Sequence, residues 1–416
     1  MEKSSSNDLS NRSRRDISLL FTTRVIRMFG YGFLSVVLAL YLAQRGLSEG
    51  EIGLLLTLTL AGDAAITLWI TTSADRMGRR RMLLVGAVLM IISGVVFSLT
   101  GNYILLVVTA IIGVISPSGN EIGPFLSIEQ ACLSQLVPDE KRTQTFAWYN
   151  LVGSFATATG ALVGGALAQL LQGAGYTPLN SYRAVLMGYT LIGVLLVVFF
   201  LFLTQAVEAP RLAEVVTLQR RFGLHKSKAV VFRLSSLFAL DAFAGGLVVQ
   251  SMVAYWFSMK FHVQPAVLGT IFFGANILAG ISALSAAWIA RRIGLINTMV
   301  YTHIPSNILL ILVPFMPTLP LATLVLLLRF SISQMDVPTR QSYTVAAVSP
   351  DERSAAMGVT SIARSVGAML SPAITGQLLA AAGLMGAPFV IAGSLKIVYD
   401  VLIWRGFRAV KPPEEK

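Results

Sequence analysis

Residues 74–100 decide the fold class, and they read ADRMGRRRMLLVGAVLMIISGVVFSLT. Arg76 and the run from Arg79 to Arg81 precede 19 residues without a formal charge, from position 82 to position 100. An α-helix of about 20 apolar residues is long enough to cross the hydrocarbon of a bilayer. Arginines beside such a run are typical of a cytoplasmic loop. This stretch therefore predicts a transmembrane helix that enters the membrane from the cytoplasmic side.

Similar runs recur along the whole chain of 416 residues. Of these residues 55% are hydrophobic and only 12% are charged, whereas soluble proteins carry about 25% charged residues. We therefore predict an all-α membrane protein with twelve transmembrane helices, embedded in a lipid bilayer. The predicted spans are residues 17–43, 51–74, 82–100, 103–134, 143–172, 183–206, 230–259, 266–290, 297–315, 320–346, 354–382 and 388–406.

The basic residues between these spans are distributed unevenly. With the N-terminus in the cytoplasm, 22 lysines and arginines fall in cytoplasmic segments, and only Arg45, Arg183 and Lys260 fall outside. This bias predicts that both termini are cytoplasmic, and we expect the membrane to be a bacterial cytoplasmic (inner) membrane. The net charge of +12 belongs to this pattern. No basic face with interleaved aromatic residues indicates nucleic acid as a partner.

The longest polar stretch, 207–229, divides the chain into two sets of six spans. The halves share a motif, because Val137-Pro-Asp-Glu-Lys-Arg142 precedes span five and Val348-Ser-Pro-Asp-Glu-Arg353 precedes span eleven. The same alignment places Gly165 on Gly376. Two related six-helix units are typical of transporters, and the alternative is a purely structural repeat. The predicted domains are a cytoplasmic tail at 1–16, a six-helix bundle at 17–206, a cytoplasmic linker at 207–229, a second bundle at 230–407 and a tail at 408–416.

The loop at the start of the quoted stretch resembles a family signature. Asp75, Arg76, Gly78, Arg79 and Arg80 follow the G-x-L-a-D-r-x-G-r-r pattern between the second and third helices of the major facilitator superfamily. The resemblance implies two pseudo-symmetric six-helix bundles, transport by alternating access and a gating role for this loop. Positive-inside anchoring alone would explain the arginines, but not the aspartate and glycine at these spacings.

In this family, spans two and five of the first half face spans eleven and eight of the second. Small residues at four-residue spacing, which let helices approach closely in lipid, recur in all four of these spans. Residues 160–165 in span five also resemble an element of the family's proton-driven exporters, with Ala161 in place of a proline, and favour export. The small residues are Gly53, Thr57, Ala61 and Ala65 in span two; Ala156, Gly160, Gly164 and Ala168 in span five; Ala275, Ala279, Ala283 and Ala287 in span eight; and Gly367, Ser371 and Thr375 in span eleven.

Charged residues inside the first six spans must be paired or hydrated, because a lone charge in the bilayer costs about 2.5–3.5 kcal/mol or more. The depth of each residue along its span predicts that Arg27 pairs with Asp63 and that Arg24 pairs with Glu121. Glu129 falls toward the cytoplasmic end of span four and is a weaker candidate for a functional carboxylate.

A second cluster of intramembrane charges is predicted in the last six spans. Burial disfavours the ionised form of a carboxylate that has lost its cation, so such a group can take up a proton. Asp63 and Asp241 are the predicted coupling residues, and static ion pairing is the alternative. The second cluster consists of Asp241, Asp336, Arg340 and Arg364, and the polar groups predicted to bind substrate are Tyr31, Asn150, Gln250, Tyr255, Asn276 and Asn307.

These features predict a monomeric secondary active transporter that moves a small organic solute and is coupled to protons. The alternatives are an uncoupled facilitator, an uptake symporter, or a receptor or assembly protein built on a transporter fold. We predict no enzyme and no cofactor, because no catalytic constellation or G-x-x-x-x-G-K-S/T loop is present. Cys132 and three histidines give no recognisable metal-binding motif.

The predicted orientation can be tested by thiol labelling in a variant whose Cys132 is replaced by alanine. A cysteine at Ser4 or Lys228 should react with a membrane-impermeant maleimide only after the cells are opened, because both positions are predicted to be cytoplasmic. A cysteine at Gly175, between predicted spans five and six, should react in intact cells. Labelling of Ser4→Cys or Lys228→Cys in intact cells as fast as Gly175→Cys would refute the orientation.

Overall fold

The computed structural model describes residues 2–119, 125–208, 226–349 and 352–407, with side chains from Ser13 onward except at 75, 139, 140, 143 and 354. Every regular element in these ranges is helical, and none of them is a β-strand. Most of the predicted linker, residues 209–225, and the predicted tail at 408–416 lie outside the described residues.

Seventeen α-helices are present in the described ranges, together with 3₁₀ turns at Gln205–Val207 and Val313–Phe315. The α-helices are α1 (Glu2–Ser35), α2 (Leu38–Gln44), α3 (Glu49–Met77), α4 (Arg79–Leu99), α5 (Tyr103–Ile112), α6 (Phe125–Leu136), α7 (Asp139–Gly173), α8 (Pro178–Leu201), α9 (Lys228–Gly246), α10 (Gln250–Phe261), α11 (Pro265–Ile293), α12 (Leu295–Leu312), α13 (Leu319–Ile332), α14 (Asp336–Ala346), α15 (Arg353–Met369), α16 (Ser371–Ala380) and α17 (Ala387–Phe407).

Each predicted span corresponds to one or two of these helices. Seven spans are single helices, and spans one, four, seven, ten and eleven are each divided into two. In the described residues, ten helical stretches are long and apolar enough to cross a membrane. Spans four and eleven are not among the ten. Span four is split into two short helices. In span eleven, Arg364 and several serines lower the mean hydropathy.

The divided spans one, four, seven and ten occupy equivalent places, since each is the first helix of a group of three. Groups of three helices are the repeating element within each half of such transporters. Local sequence explains several of the breaks. Gly245 and Gly246 end α9, and Pro372 lies in the first turn of α16, where its missing N–H costs no helical hydrogen bond.

The first helix is longer than predicted. It begins at Glu2 and so continues through the predicted tail at 1–16. Its N-terminal half is attached to the end of α8, because Asp16 accepts hydrogen bonds from the backbone N (3.2 Å) and Oγ1 (2.6 Å) of Thr204. Arg15 donates to the carbonyl oxygen of Phe202 at 3.2 Å.

The chain forms two compact units. Unit 1 comprises Met1–Gly46, Ala61–Ala213 and Gln264–Phe273, and unit 2 comprises Leu47–Leu60, Glu214–Val263 and Gly274–Lys416. In unit 1, α1 packs along α7 and α4 packs along α8. In unit 2, α9 packs along α15 and α12 packs along α17, which are the equivalent pairs. The two six-helix bundles predicted from the sequence repeat therefore share one internal architecture.

Both ends of the predicted linker are attached to helix N-termini through carboxylates. In unit 1, Glu208 accepts from the backbone N of Arg79 at 2.6 Å. In unit 2, Glu352 accepts from the backbone N atoms of Lys226 (2.8 Å) and Ser227 (2.9 Å). A carboxylate at a helix N-terminus satisfies free N–H groups and is favoured by the helix dipole.

Small residues allow close helix packing, but partly against other neighbours than predicted. The stripe in span five packs on α1, because a Cβ at Gly160 or Gly164 would meet the backbone carbonyl oxygen of Phe29 or Phe33. The stripe in span eleven packs on span seven, where a Cβ at Gly367 would meet the carbonyl oxygen of Ala239. These two stripes thus bind helices of their own bundle, a difference that residue spacing alone does not reveal.

The expected contacts of span two with span eleven and of span five with span eight are also present. Each includes a pair of glycines, and Gly53 of the span-two stripe belongs to one of these pairs. In unit 1, a Cβ at Gly165 would lie 3.0 Å from the Cα of Gly269. In unit 2, a Cβ at Gly376 would lie 3.0 Å from the Cα of Gly53. The predicted equivalence of Gly165 and Gly376 is confirmed by these matching contacts.

Replacing Gly376 should therefore disrupt unit 2. In Gly376→Ala the new methyl group would contact the backbone of α3, which cannot move aside as a side chain could. We expect a lower apparent melting temperature and less monodisperse protein by size-exclusion chromatography. The matched control is Gly358→Ala in α15, where a Cβ meets nothing within 4 Å. Equal stability of the two variants would refute the close glycine contact.

Candidate functional site

Unit 1 contains a buried ion pair between α1 and α6. The guanidinium of Arg27 donates from Nη1 to Oε1 of Glu129 at 2.8 Å and from Nη2 to Oε2 at 2.6 Å. Both side chains are 0% exposed. Two parallel hydrogen bonds fix the relative orientation of guanidinium and carboxylate as well as adding energy.

Neighbouring groups complete the environment of this pair. Thr23 donates from Oγ1 to Oε1 of Glu129 at 3.0 Å, and the hydroxyl of Tyr149 donates to Oε2. The guanidinium of Arg24 lies over the ring of Tyr149, with Cζ 4.7 Å from the ring centroid. Glu129 is thus the centre of a closed polar network shared by three helices.

The carboxylate that binds Arg27 is Glu129. The prediction from residue depth, which paired Arg27 with Asp63, is wrong. The depth argument assumed that span four is one straight helix, whereas it is divided between α5 and α6. Asp63 lies half-buried on α3 and is in electrostatic range of Tyr31. Glu121, the predicted partner of Arg24, lies outside the described residues.

Unit 2 contains a larger cluster centred on Asp241 of α9. Its Oδ1 accepts from Nζ of Lys396 at 2.6 Å. Its Oδ2 accepts from Nη1 of Arg340 at 3.2 Å and from Nη1 of Arg364 at 3.1 Å. One carboxylate therefore connects α9 to cations on α14, α15 and α17.

The remaining predicted member, Asp336, belongs to the same cluster. Arg340 donates from Nη1 to Oδ2 of Asp336 at 2.8 Å, one helical turn away on α14. The structure thus brings together the four residues predicted for the second half, and Asp241, Asp336 and Arg340 are all at most 5% exposed. Their role in coupling stays a prediction.

Sequence reasoning missed three members of this region, Lys396, His303 and Asp400. The Nδ1 atom of His303 lies 2.8 Å from Oδ1 of Asp400, and Asn307 donates from Nδ2 to Oδ2 at 3.0 Å. Lys396 and Asp400 are separated by one turn within the predicted twelfth span. Two opposite charges at this spacing in an apolar run were a usable signal for a buried site.

The predicted substrate-binding groups are mostly engaged with other residues. Tyr31 and Asn307 are fully buried. Asn276 donates to Gln250 at 3.2 Å, and the hydroxyl of Tyr255 donates to Glu49 at 3.0 Å.

Asn150 differs from these groups, since it is exposed on α7. Its backbone carbonyl oxygen accepts from Oγ of Ser154, one turn further along the helix. Contact with a substrate stays a prediction for all six residues.

The signature loop reverses direction at Gly78, whose φ of 101° is a left-handed conformation that favours glycine. The backbone N atoms of Arg79 and Arg80 donate to the two carboxylate oxygens of Glu208. The side chain of Arg79 donates to Oε1 of Gln135 at 2.9 Å. These contacts fix the start of α4 to the segment that follows α8.

The other two residues of the signature are less well defined. Arg76 is exposed, and the side chain of Asp75 lies outside the described residues. A gating role for Asp75 therefore stays a prediction.

The described residues contain no group of three or more His, Cys, Asp or Glu side chains that could hold a metal ion. Buried ion pairs can in principle exchange partners and protons. The two clusters differ in the number of cations that bind the central carboxylate. Glu129 in unit 1 forms a bidentate pair with one arginine, whereas Asp241 in unit 2 is shared by several cations.

Neutralising Glu129 should destabilise unit 1. In Glu129→Gln the guanidinium of Arg27 stays buried without its carboxylate, and breaking such a pair costs about 3–5 kcal/mol. We expect a lower apparent melting temperature, measured by intrinsic fluorescence. Tyr149→Phe is the milder control, because it removes one hydrogen bond and keeps the pair. The double variant Arg27→Gln with Glu129→Gln should recover part of the loss. If Glu129→Gln alone melts like the unchanged protein, the pair has no structural role.

A family model described as Major Facilitator Superfamily matches residues 20–335 and 261–416. An uncharacterized membrane protein of Saccharomyces cerevisiae, YJR124C, is 33% identical over 418 aligned positions, which cover 94% of this chain and 93% of that protein. The quinolone resistance protein NorA of Staphylococcus aureus is 22% identical over 156 residues, or 38% of this chain and 39% of NorA.

Solved transporter structures are similar over almost the whole chain. A bacterial homologue of the human lysosomal transporter Spinster, in an inward-facing and occupied conformation, has a TM-score of 0.72 and 18% identity, covering 94% of this chain and 97% of that chain. A D-xylose–proton symporter has a TM-score of 0.71 and 16% identity with the same two coverages. Identities this low show the fold alone. The family model, by contrast, covers nearly the entire sequence, and the chain belongs to the major facilitator superfamily.

Proposed function

We propose that this chain is a secondary active transporter that moves a small organic solute by alternating access and is coupled to protons through Asp241. The observation that carries the proposal is the position of this carboxylate. It is 3% exposed, lies in a membrane-spanning stretch and is bound by cations on three other helices. Intramembrane ionisable residues of this kind are expensive to bury and usually serve function.

Protonation of Asp241 would change the packing of unit 2. The ionised carboxylate attracts Lys396, Arg340 and Arg364 and so holds α9 to α17, α14 and α15. A neutral carboxyl group loses this attraction, which frees the three helices to rearrange. A proton thus has different affinities for two arrangements of the helices, which is what coupling requires.

Asp63 is the second candidate for the coupling proton. It is half-buried on α3 in unit 1, and a partly exposed carboxylate exchanges protons more readily than a fully buried pair. The Arg27–Glu129 pair is the less suitable group, because it is fully buried and its oxygens also accept from Thr23 and Tyr149.

The direction of transport is the finer part of the proposal. The partial glycine element at 160–165 supports export. Uptake by symport is the second candidate, and the excess of cations around Asp241 favours it. A cation excess suits an anionic solute, whose binding favours the simultaneous binding of a proton. The fold accommodates such coupling, as the D-xylose–proton symporter illustrates for its own solute.

The proposal includes the arrangement of the chain in the membrane. We infer cytoplasmic termini, bundles at 17–206 and 230–407 joined by a cytoplasmic linker at 207–229, a gating role for the loop at Asp75, and a monomer. The 33% identical relative comes from yeast. The chain is an integral, multi-pass membrane protein, and we do not assign it to a bacterial inner membrane. Family and fold favour transport over catalysis.

The test is flux in proteoliposomes, with a panel of small organic solutes measured with and without a proton gradient. For any solute that moves uphill, Asp241→Asn should abolish uphill movement and leave exchange or downhill flux measurable, since only the coupled step needs the proton. The matched control is Asp336→Asn, in the same cluster, whose carboxylate accepts within the described residues only from Arg340. It should lower stability and keep uphill transport.

The results of these flux measurements distinguish a coupling role of Asp241 from a purely structural role. Loss of all flux together with loss of folded protein in Asp241→Asn would indicate a structural ion pair. Uphill transport that survives neutralisation of both Asp241 and Asp63 would refute proton coupling through these residues, and the uncoupled facilitator would replace the proposal if no gradient is needed.

A further inference from the structure

The charges around Asp241 do not balance. Asp241 and Asp336 accept from three cations, Arg340, Arg364 and Lys396. Arg329 is a fourth cation within electrostatic range of both aspartates. Asp400 adds a third carboxylate nearby, but its two oxygens are engaged by His303 and Asn307. Without counting His303, the region carries four positive and three negative charges.

A net positive charge among membrane-spanning helices is costly unless water or an anion compensates it. Of the three cations that bind Asp241, Arg364 is the most open to an outside partner. Its side chain is 34% exposed, against 6% for Arg340 and 9% for Lys396. The excess positive charge and the exposed surface of the cluster therefore occur at the same group, the guanidinium of Arg364.

The open edge of Arg364 lies on the polar side of α15. At about 100° per residue, Ser361 and Ser365 are within about 100° of Arg364 around the helix, whereas Ile362 and Val366 are about 160° away. All four of these neighbours are exposed. The apolar pair suits lipid, and the two serines beside Arg364 suit water. The guanidinium thus belongs to a hydrated face of unit 2.

We propose that Arg364 binds an oxyanion of the transported solute, so that the substrate class is organic anions carrying a carboxylate or a phosphate. The inference rests on the proposed function and names its substrate. Of the five N–H donors of a guanidinium, Arg364 uses Nη1 on Asp241. The others can form the paired hydrogen bonds that carboxylates and phosphates accept. Asp241 would keep Lys396 and Arg340, so no buried carboxylate loses all its cations.

The test is ligand-dependent stability of the purified full-length protein in nanodiscs. The probes are sodium benzoate, sodium phenyl phosphate and sodium phosphate, each titrated at constant ionic strength against sodium chloride. A ligand that binds the folded state raises the melting temperature in a saturable way. We expect this with at least one probe, and the aromatic pair distinguishes a carboxylate from a phosphate substrate.

Arg364→Gln should weaken the apparent affinity at least about tenfold, equivalent to about 1.4 kcal/mol. Arg233→Gln is the matched control, because Arg233 is an exposed arginine on α9, and it should leave the affinity unchanged. Arg364→Lys keeps the charge and loses the planar fork. It should weaken binding at least about threefold, and it replaces the glutamine variant if that variant does not fold.

The proposal is overturned if no probe shifts the melting temperature beyond chloride, or if the Arg364 variants bind as tightly as the Arg233 control. These outcomes are independent of flux, because binding is measured without a gradient. Binding through Arg364 without uphill transport would refute proton coupling and leave the anion site intact. Uphill transport of a neutral solute without anion binding would refute the substrate class and leave the coupling mechanism intact.

Discussion

Charged side chains inside membrane-spanning helices must find partners within the protein, and this constraint determines how each unit is organised. In unit 1 the requirement is met by a bidentate pair between Arg27 and Glu129, both fully buried. In unit 2 it is met by Asp241, which is shared among cations on three other helices. Hydrocarbon offers no competing hydrogen bonds, so each network specifies which helices are neighbours.

The close packing of the helices gives these networks their geometry. Backbone contacts at Gly160, Gly164 and Gly367 bring α7 to α1 and α15 to α9. Helices at this distance place Tyr149 of α7 against the Arg27–Glu129 pair and Arg364 of α15 against Asp241. Small residues and ion pairs therefore act together, because a larger residue on these stripes would also separate the charged groups.

The contrast between the two clusters is a structural asymmetry of the molecule. A closed, saturated pair resists both proton exchange and rearrangement, which suits a fixed element. A carboxylate with several partners can lose one of them and keep the others, so it can take part in more than one arrangement without a stranded charge. Of the three cations bound to Asp241, Arg364 is the most exposed, and it is there that we propose an external anion changes the balance of charge.

The sequence by itself determined the membrane class, the twelve spans, the repeat and the family, because hydrophobic run length, basic-residue bias and the loop around Asp75 and Gly78 are local features. It also identified Asp241, Asp336, Arg340 and Arg364 as one cluster, since the first two and Arg364 are charges at similar depth and Arg340 lies just below them. Only the tertiary structure decided that Arg27 pairs with Glu129 and that Lys396 binds Asp241. These contacts depend on where spans are broken and on which helix faces meet, and both are fixed by long-range packing that spacing along one chain does not encode.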